Sequence, residues 1–395
     1  MPTRRRSGFD RIVCRSLLLG LTLLPLACTP PELRPEASGS NADVAESTAE
    51  APTATAADPV EATADARSDS GAETPASSPM AQAPADGGAP IAVRIGLPFQ
   101  PDVQFAPIYA AQASGAFAPA EGIQLEPSFE YGDENDFLRL LAAGKMDAVV
   151  ASGEQVILAR AGGIPVTYVA TWYQRFPVVV FGLGPAVTRV EDLVGSTVGV
   201  PMQAGASWIG WQALLARNGI PLVAIDTEVV GFDQLSAVRS GRVGAAVGYA
   251  ANEPVQLRAE GREPWVIEIA DRFNLVSNGL VVAESALTER PEVVQALVDG
   301  VLAGLADTLD DPDRAFEIAL QSVPAADDDA VRPIQRQVLE ASLPFWTPAA
   351  GKPLGGIDEA AWTDSVAFLR QIGLIDRSLA AEDLYDDRFI PRSGR

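Results

Sequence analysis

Tyr168-Val169-Ala170-Thr171-Trp172-Tyr173-Gln174-Arg175-Phe176-Pro177 decides the reading of the fold. Residues 165–171 alternate and are rich enough in β-branched side chains to form a buried strand. The chain then runs directly into Trp172, Tyr173 and Phe176, followed by a second apolar run, Val178-Val179-Val180-Phe181. In an open α/β sheet, ligands occupy the crevice beyond the carboxyl ends of the strands. An aromatic cluster at such an end is placed to stack a flat ligand, or else to cap a core. The stretch by itself leaves both roles open.

Outward from this stretch, strand, loop and helix keep alternating. On the N-terminal side, residues 91–97, 123–129 and 147–151 read as strands, with helices over 108–114 and 135–143 between them. Ser152-Gly153-Glu154-Gln155 opens a further helix. On the C-terminal side, strands are expected at 196–200, 227–230, 245–249 and 265–269. Gln203-Ala204-Gly205-Ala206-Ser207 opens a helix through Trp208 and Trp211, and Ala250-Ala251-Asn252-Glu253-Pro254 opens another. Residues 275–282, including Asn278, read as a return crossing, and helices follow at 291–309, 312–321, 330–343 and 358–373. Such alternation predicts a largely parallel sheet. A middle lobe of residues 183–275, inserted into a first lobe of residues 91–182 and 276–395 by two crossings, is the architecture of a hinge-bending binding protein.

The first ninety residues have a different character. Arg4-Arg5-Arg6 precedes an apolar run over residues 17–27, a pattern that reads as a secretory signal too short to span as a permanent helix. Leu24-Pro25-Leu26-Ala27-Cys28 resembles a lipoprotein lipobox, with Pro25 where Leu is usual. That resemblance makes residues 1–28 the signal and Cys28 the lipidated residue; ordinary cleavage and an uncleaved anchor are the alternatives. Residues 29–90 are Ala, Pro, Ser, Thr and acids with almost no large apolar side chain. Such a segment cannot offset its chain entropy by burial and is expected to form an extended, disordered tether.

Composition excludes much chemistry. The chain has no histidine, which removes Ser-His-Asp and Cys-His catalysis, His-ligated zinc and a histidine pH switch. Of the two cysteines, Cys14 lies within the signal, so a processed chain keeps only Cys28 and forms no internal disulfide. A formal net charge of −23 argues against nucleic-acid partners. No metal or cofactor is expected.

Gln104-Phe105-Ala106-Pro107-Ile108-Tyr109-Ala110-Ala111, with Gly115-Ala116-Phe117 and Glu121-Gly122-Ile123, is similar to the first strand and helix of the thiamine-pyrimidine and alkanesulfonate binding-protein family of ABC importers. Asp192-Leu193-Val194-Gly195-Ser196-Thr197-Val198-Gly199-Val200, Gly241-Arg242-Val243-Gly244-Ala245-Ala246 and Asn278-Gly279-Leu280 fit the same family, Gly244 standing where an acid is common. Ser152-Gly153-Glu154-Gln155 and Ala251-Asn252-Glu253-Pro254-Val255-Gln256-Leu257 resemble the branch that takes up vitamin-related heterocycles, formylaminopyrimidine and riboflavin among them. The resemblance implies an α/β, two-lobed periplasmic-binding-protein fold following the tether. It implies an extracytoplasmic, monomeric receptor that delivers its ligand to a permease and ATPase. Alkanesulfonate, taurine or nitrate binding is the alternative. Fungal pyrimidine synthases share the fold but use a histidine and a cysteine-rich motif, which this chain lacks, so no enzyme activity is implied.

With the lobes so arranged, Phe105, Tyr109, Glu154, Trp172, Tyr173 and Phe176 are expected to face the cleft from the first lobe. Ser207, Trp208, Tyr249, Asn252 and Glu253 are expected from the second, with Asn278 on the return crossing. Carboxylates accept from ring amines or imide N–H groups, and amides both donate and accept. The Gly205-Ala206-Ser207 helix start is also a possible anion site, which supports the sulfonate alternative. Arg175 is the only basic residue in the expected cleft loops, and the aromatics exceed what a small sulfonate needs.

Overall fold

The computed structural model describes residues 89–119, 122–273 and 275–391. The signal, Cys28 and nearly all of the expected tether lie outside them. The described chain forms two mixed five-stranded sheets flanked by helices.

The first sheet has the order β2-β1-β3-β10-β4. Its strands are β1 (Ile91–Pro98), β2 (Leu125–Gly132), β3 (Ala148–Ser152), β4 (Val166–Thr171) and β10 (Asn278–Ala283). The second sheet has the order β7-β6-β8-β5-β9. It comprises β5 (Val178–Gly182), β6 (Thr197–Val200), β7 (Asp226–Val229), β8 (Ala245–Tyr249) and β9 (Trp265–Glu268). In each sheet four strands run in one direction, and the fourth in order is antiparallel to both of its neighbours. That antiparallel strand is the one entering from the other lobe: β10 in the first sheet and β5 in the second.

Two expectations change here. Four of the five strands in each sheet share a direction, as the alternation predicts, but one antiparallel strand makes each sheet mixed, because a chain that leaves a lobe and returns re-enters from the opposite end. Val178–Gly182 also belongs to the second sheet, where it pairs with β8 and β9. The outward crossing is therefore residues 172–177, ahead of the boundary expected after residue 182. Likewise, residues 278–282 of the expected return crossing belong to strand β10, paired with β3 and β4.

The crossings are fastened to each other and to a C-terminal helix. The Trp172 and Tyr173 N–H groups both donate to the Asn278 carbonyl, at 3.0 and 2.9 Å, and the Gln174 N–H donates to the Phe345 carbonyl at 2.7 Å. Phe345 lies on α10 (Arg332–Trp346). Helices α1 (Ala106–Ser114), α8 (Pro291–Asp310) and α9 (Pro312–Ser322) pack on one another and share one hydrophobic core with the first sheet, α8 lying against β2. Gly300 and Gly304 let α8 approach closely: a Cβ on Gly304 would stand 2.0 Å from the Pro107 carbonyl oxygen of α1. No helix among the described residues is long and apolar enough to cross a membrane.

Candidate ligand-binding site

Between the lobes lies a cavity of about 430 Å³. It opens where the carboxyl ends of β1, β2 and β3 face those of β6, β7 and β8, as expected for α/β sheets. Each wall is built by chain just leaving a strand. Residues 98–105 follow β1, residues 132–134 follow β2, residues 201–207 follow β6, and Tyr249 to Gln256 follow β8.

The aromatic floor comes from Trp172 and Tyr173, where the chain leaves β4. Trp172 lies edge-on to Phe105 (centroids 6.3 Å apart, 76°) and to Trp346 (6.2 Å, 64°). Tyr173 meets Tyr249 of the second lobe edge-on at 6.3 Å, and its hydroxyl lies 3.4 Å from Gln104 Oε1. The Tyr249 hydroxyl in turn donates to Asn278 Oδ1 at 3.4 Å. At the mouth, Phe99 of the first lobe meets Phe232 of the second edge-on at 4.9 Å and 83°.

Acids and amides supply the polar lining. Asp102 caps the short helical turn Val103–Phe105, accepting from the Gln104 N–H at 2.9 Å and from its side-chain amide at 3.1 Å. Burial raises its pKa, against the effect of those hydrogen bonds. Glu134 opens α2 (Glu134–Ala142); one carboxylate oxygen accepts from the Ser152 N–H at 3.0 Å, and the Ser152 hydroxyl lies 3.1 and 3.3 Å from the two oxygens. Burial pushes Glu134 up to about 7. Glu253 opens α6 (Glu253–Ala259) and accepts from the Tyr249 N–H at 2.9 Å; burial pushes it up to about 7 as well. Asn252, Gln256 and Asn278 add amides, with Gln256 Nε2 donating to Asn252 Oδ1 at 2.6 Å. No lining residue among those described is a lysine or arginine.

Of the residues singled out in the sequence, Phe105, Trp172, Tyr173, Ser207, Tyr249, Asn252, Glu253 and Asn278 line this cavity. Four others do not. Tyr109 is buried on α1, with its hydroxyl bonded to that of Tyr131 at 2.8 Å. Phe176 turns into the second lobe's core, where its ring would lie 2.9 Å from a Cβ on Gly210. Trp208 is half-buried on α4 (Gly205–Arg217), against the same core. Glu154 is fully buried on α3 (Gly153–Ala161) with no hydrogen-bond partner for either carboxylate oxygen. Burial first, and then the nearby Glu134 charge, raises its pKa well above the usual range. Arg175, the one basic residue expected in the cleft, is outside the lining and pairs with Glu268 and Asp271.

Sequence reading missed Asp102, Glu134, Phe99 and Phe232. The first two carried a signal: each is an acid at a helix start directly after a strand, the position this fold turns towards its cleft. Phe99 and Phe232 sit in loops whose path only the tertiary structure gives.

Two α/β lobes joined by paired crossings and enclosing a cavity at their strand ends define the class: this is the periplasmic-binding-protein fold. The periplasmic aliphatic sulphonate binding protein SsuA from Escherichia coli has the same fold, with a TM-score of 0.61 at 15% identity over 78% of this chain and 96% of that one. The chain belongs to the NMT1/THI5-like family, whose model matches residues 102–315. It is 40% identical to the riboflavin-binding protein RibY of Chloroflexus aurantiacus, over 80% of this chain and 92% of that one. It is 27% identical to a formylaminopyrimidine-binding protein of Halalkalibacterium halodurans, over 74% and 89%. At 25% identity, over 72% and 88%, it also matches a 4-amino-5-hydroxymethyl-2-methylpyrimidine phosphate synthase of Legionella pneumophila.

Proposed function

We propose that this protein is an exported, lipid-anchored receptor that closes on riboflavin and hands it to an ABC permease. The observation that carries this reading is the cavity lining: aromatic faces, carboxylates and amides, without a cation. A flavin ring offers a flat apolar body, one imide N–H and carbonyl acceptors, and its side chain offers hydroxyl donors. Aromatic walls suit the body, Glu253 suits an N–H or hydroxyl donor, and Asn252, Gln256 and Asn278 suit either sense. The cavity volume lies within the roughly 300–1,000 Å³ of pockets that bury drug-sized ligands, which favours three fused rings over one. Identity of 40% with a riboflavin-binding protein supports the same ligand.

An aminopyrimidine is the second reading, supported by the formylaminopyrimidine-binding relative and by two acids able to accept from an exocyclic amine. Sulfonates are disfavoured because nothing in the lining balances their charge. A synthase reading has to contend with a chain that has no histidine.

Flavin fluorescence provides the test. Refolded, ligand-stripped protein is expected to quench riboflavin stoichiometrically and to gain about 2.7 kcal/mol of stability at 100 times the dissociation constant. A stabilisation by methanesulfonate or taurine, with none by riboflavin or hydroxymethylpyrimidine, would overturn the proposal. The anchor is tested separately. Cys28→Ser should move the processed protein from the membrane to the soluble fraction without altering quenching, and a wild type that is already soluble excludes the anchor.

A further inference from the structure

The helix start that sequence reading set aside for an anion already faces a carboxylate. The first N–H groups of α4, at Gly205, Ala206 and Ser207, have no partner within the helix, and Ala204 before them offers no side-chain cap. Such an end attracts negative charge. Glu134 reaches it from the opposite lobe: a Cβ on Gly205 would stand 3.1 Å from Glu134 Oε1. Gly205 also has φ +74°, so a side chain there would be strained as well as crowded. On its other side the carboxylate takes both donors of Ser152. Glu134 thus joins Ser152, buried in the first lobe, to the start of α4 in the second, and Glu134 and the first turn of α4 line the cavity.

We infer that Glu134 is a specificity-determining residue: its carboxylate fills the anion-receptive end of α4, so the site takes the uncharged form of its ring ligand and rejects sulfonates and phosphate monoesters. The choice of ring rests on the reading proposed above; the rejection of anions does not. An incoming sulfonate or phosphate at α4 would meet Glu134 directly, with Asp133 beside it, Glu154 behind it and no lining cation to offset them. Like charges brought together in a desolvated site are strongly unfavourable. Without the carboxylate, the Ser152 N–H and hydroxyl and the first turn of α4 would form a set of unpaired donors around one small space. Those donors suit an oxyanion.

The test, run at pH 8.5 so that Glu134 is ionised, compares wild type with Glu134→Ala and Glu134→Gln, using riboflavin, riboflavin 5′-phosphate, inorganic phosphate and methanesulfonate as probes. Wild type is expected to bind riboflavin at least about tenfold more tightly than its phosphate ester and to show no thermal shift with either small anion. Glu134→Ala should narrow the riboflavin to phosphate-ester ratio at least about tenfold and gain a thermal shift with inorganic phosphate or methanesulfonate. Glu134→Gln keeps the side chain's shape, should shift the ratio in the same direction, and serves if the alanine variant does not fold. Equal binding of riboflavin and its phosphate by wild type overturns the inference, as does a folded Glu134→Ala protein with unchanged anion response. Should wild type bind no heterocycle while the small-anion contrast between wild type and variant appears, the ring ligand is wrong and the charge filter stands.

Discussion

Trp172 shows how one residue serves core and cavity together. It is 2% exposed, packed edge-on between Phe105 and Trp346, and lines the cavity with its remaining surface. Trp172→Ala is therefore expected to cost about 3–5 kcal/mol of unfolding free energy by denaturant titration, the range for buried aromatic truncations, as well as ligand affinity. A loss below 1 kcal/mol would mean that its packing contributes little. Gly248 isolates the site more cleanly. A Cβ there would stand 2.5 Å from Glu253 Oε2, the end of a flexible side chain, so Gly248→Ala should displace that carboxylate while the strand persists. The Tyr249 N–H then loses its acceptor, and a buried donor left unpaired costs about 1–3 kcal/mol. We expect affinity to fall at least fivefold by fluorescence titration, with far-ultraviolet circular dichroism unchanged; unaltered affinity would remove Glu253 from the site.

At the scale of elements, the strand and helix pattern was legible because each segment carries its own period. Membership of a sheet was not. Val178-Val179-Val180-Phe181 is as apolar as the strand before it, and only its pairing with β8 and β9 assigns it to the second lobe. Phe176 and Trp208 were misread for a related reason: aromatic character marks burial, but the direction a side chain faces depends on the turn before it. Glu134 resembled an ordinary first-turn acid because its meaning depends on α4, about 70 residues further along the chain. The mouth of the cleft is the element-scale feature most open to experiment. Phe99 holds a left-handed backbone, φ 94°, which is rare away from glycine and concentrated at functional sites. Its ring meets Phe232, which is 63% exposed. An edge-on pair adds about 0.5–1.5 kcal/mol beyond burial, so Phe232→Ala should barely alter ligand-free stability. It should speed ligand release about 2–10-fold in stopped-flow displacement; an unchanged off-rate would mean that the pair does not hold the lobes closed.

At the scale of the whole molecule, the cavity and the chain directly behind it gather buried and half-buried acids in a protein whose formal charge is already −23. Asp102, Glu134, Glu154 and Glu253 all have raised pKa values, with burial the largest cause at each; Glu134 and Glu253 are pushed up to about 7. The sign of the stability effect follows. A carboxyl whose folded-state pKa lies above its unfolded one binds more protons when folded, so stability falls as pH rises between the two values. For Glu134 and Glu253 that window runs from the ordinary glutamate range up to about 7, and each contributes a loss of order a few kcal/mol across it. The ligand-free protein should therefore be most stable near pH 5 and lose stability towards pH 7. General charge repulsion acts in the same direction, so the wild-type slope alone does not identify its source. The groups facing Glu134 are Asp133, Glu154, Ser152 and Tyr249, while Glu253 faces the Tyr249 N–H and, more distantly, Asp102. Glu134→Gln and Glu253→Gln should each flatten the slope, and the double variant should flatten it further, while overall repulsion changes little. Urea titrations at half-unit steps from pH 4.5 to 8 measure this. A wild-type stability that rises across the window would contradict the buried-acid account, as would slopes that the two variants leave unchanged. Bound ligand should reduce the slope in wild type, because an N–H or hydroxyl donated to Glu253 stabilises the charged form that burial opposes.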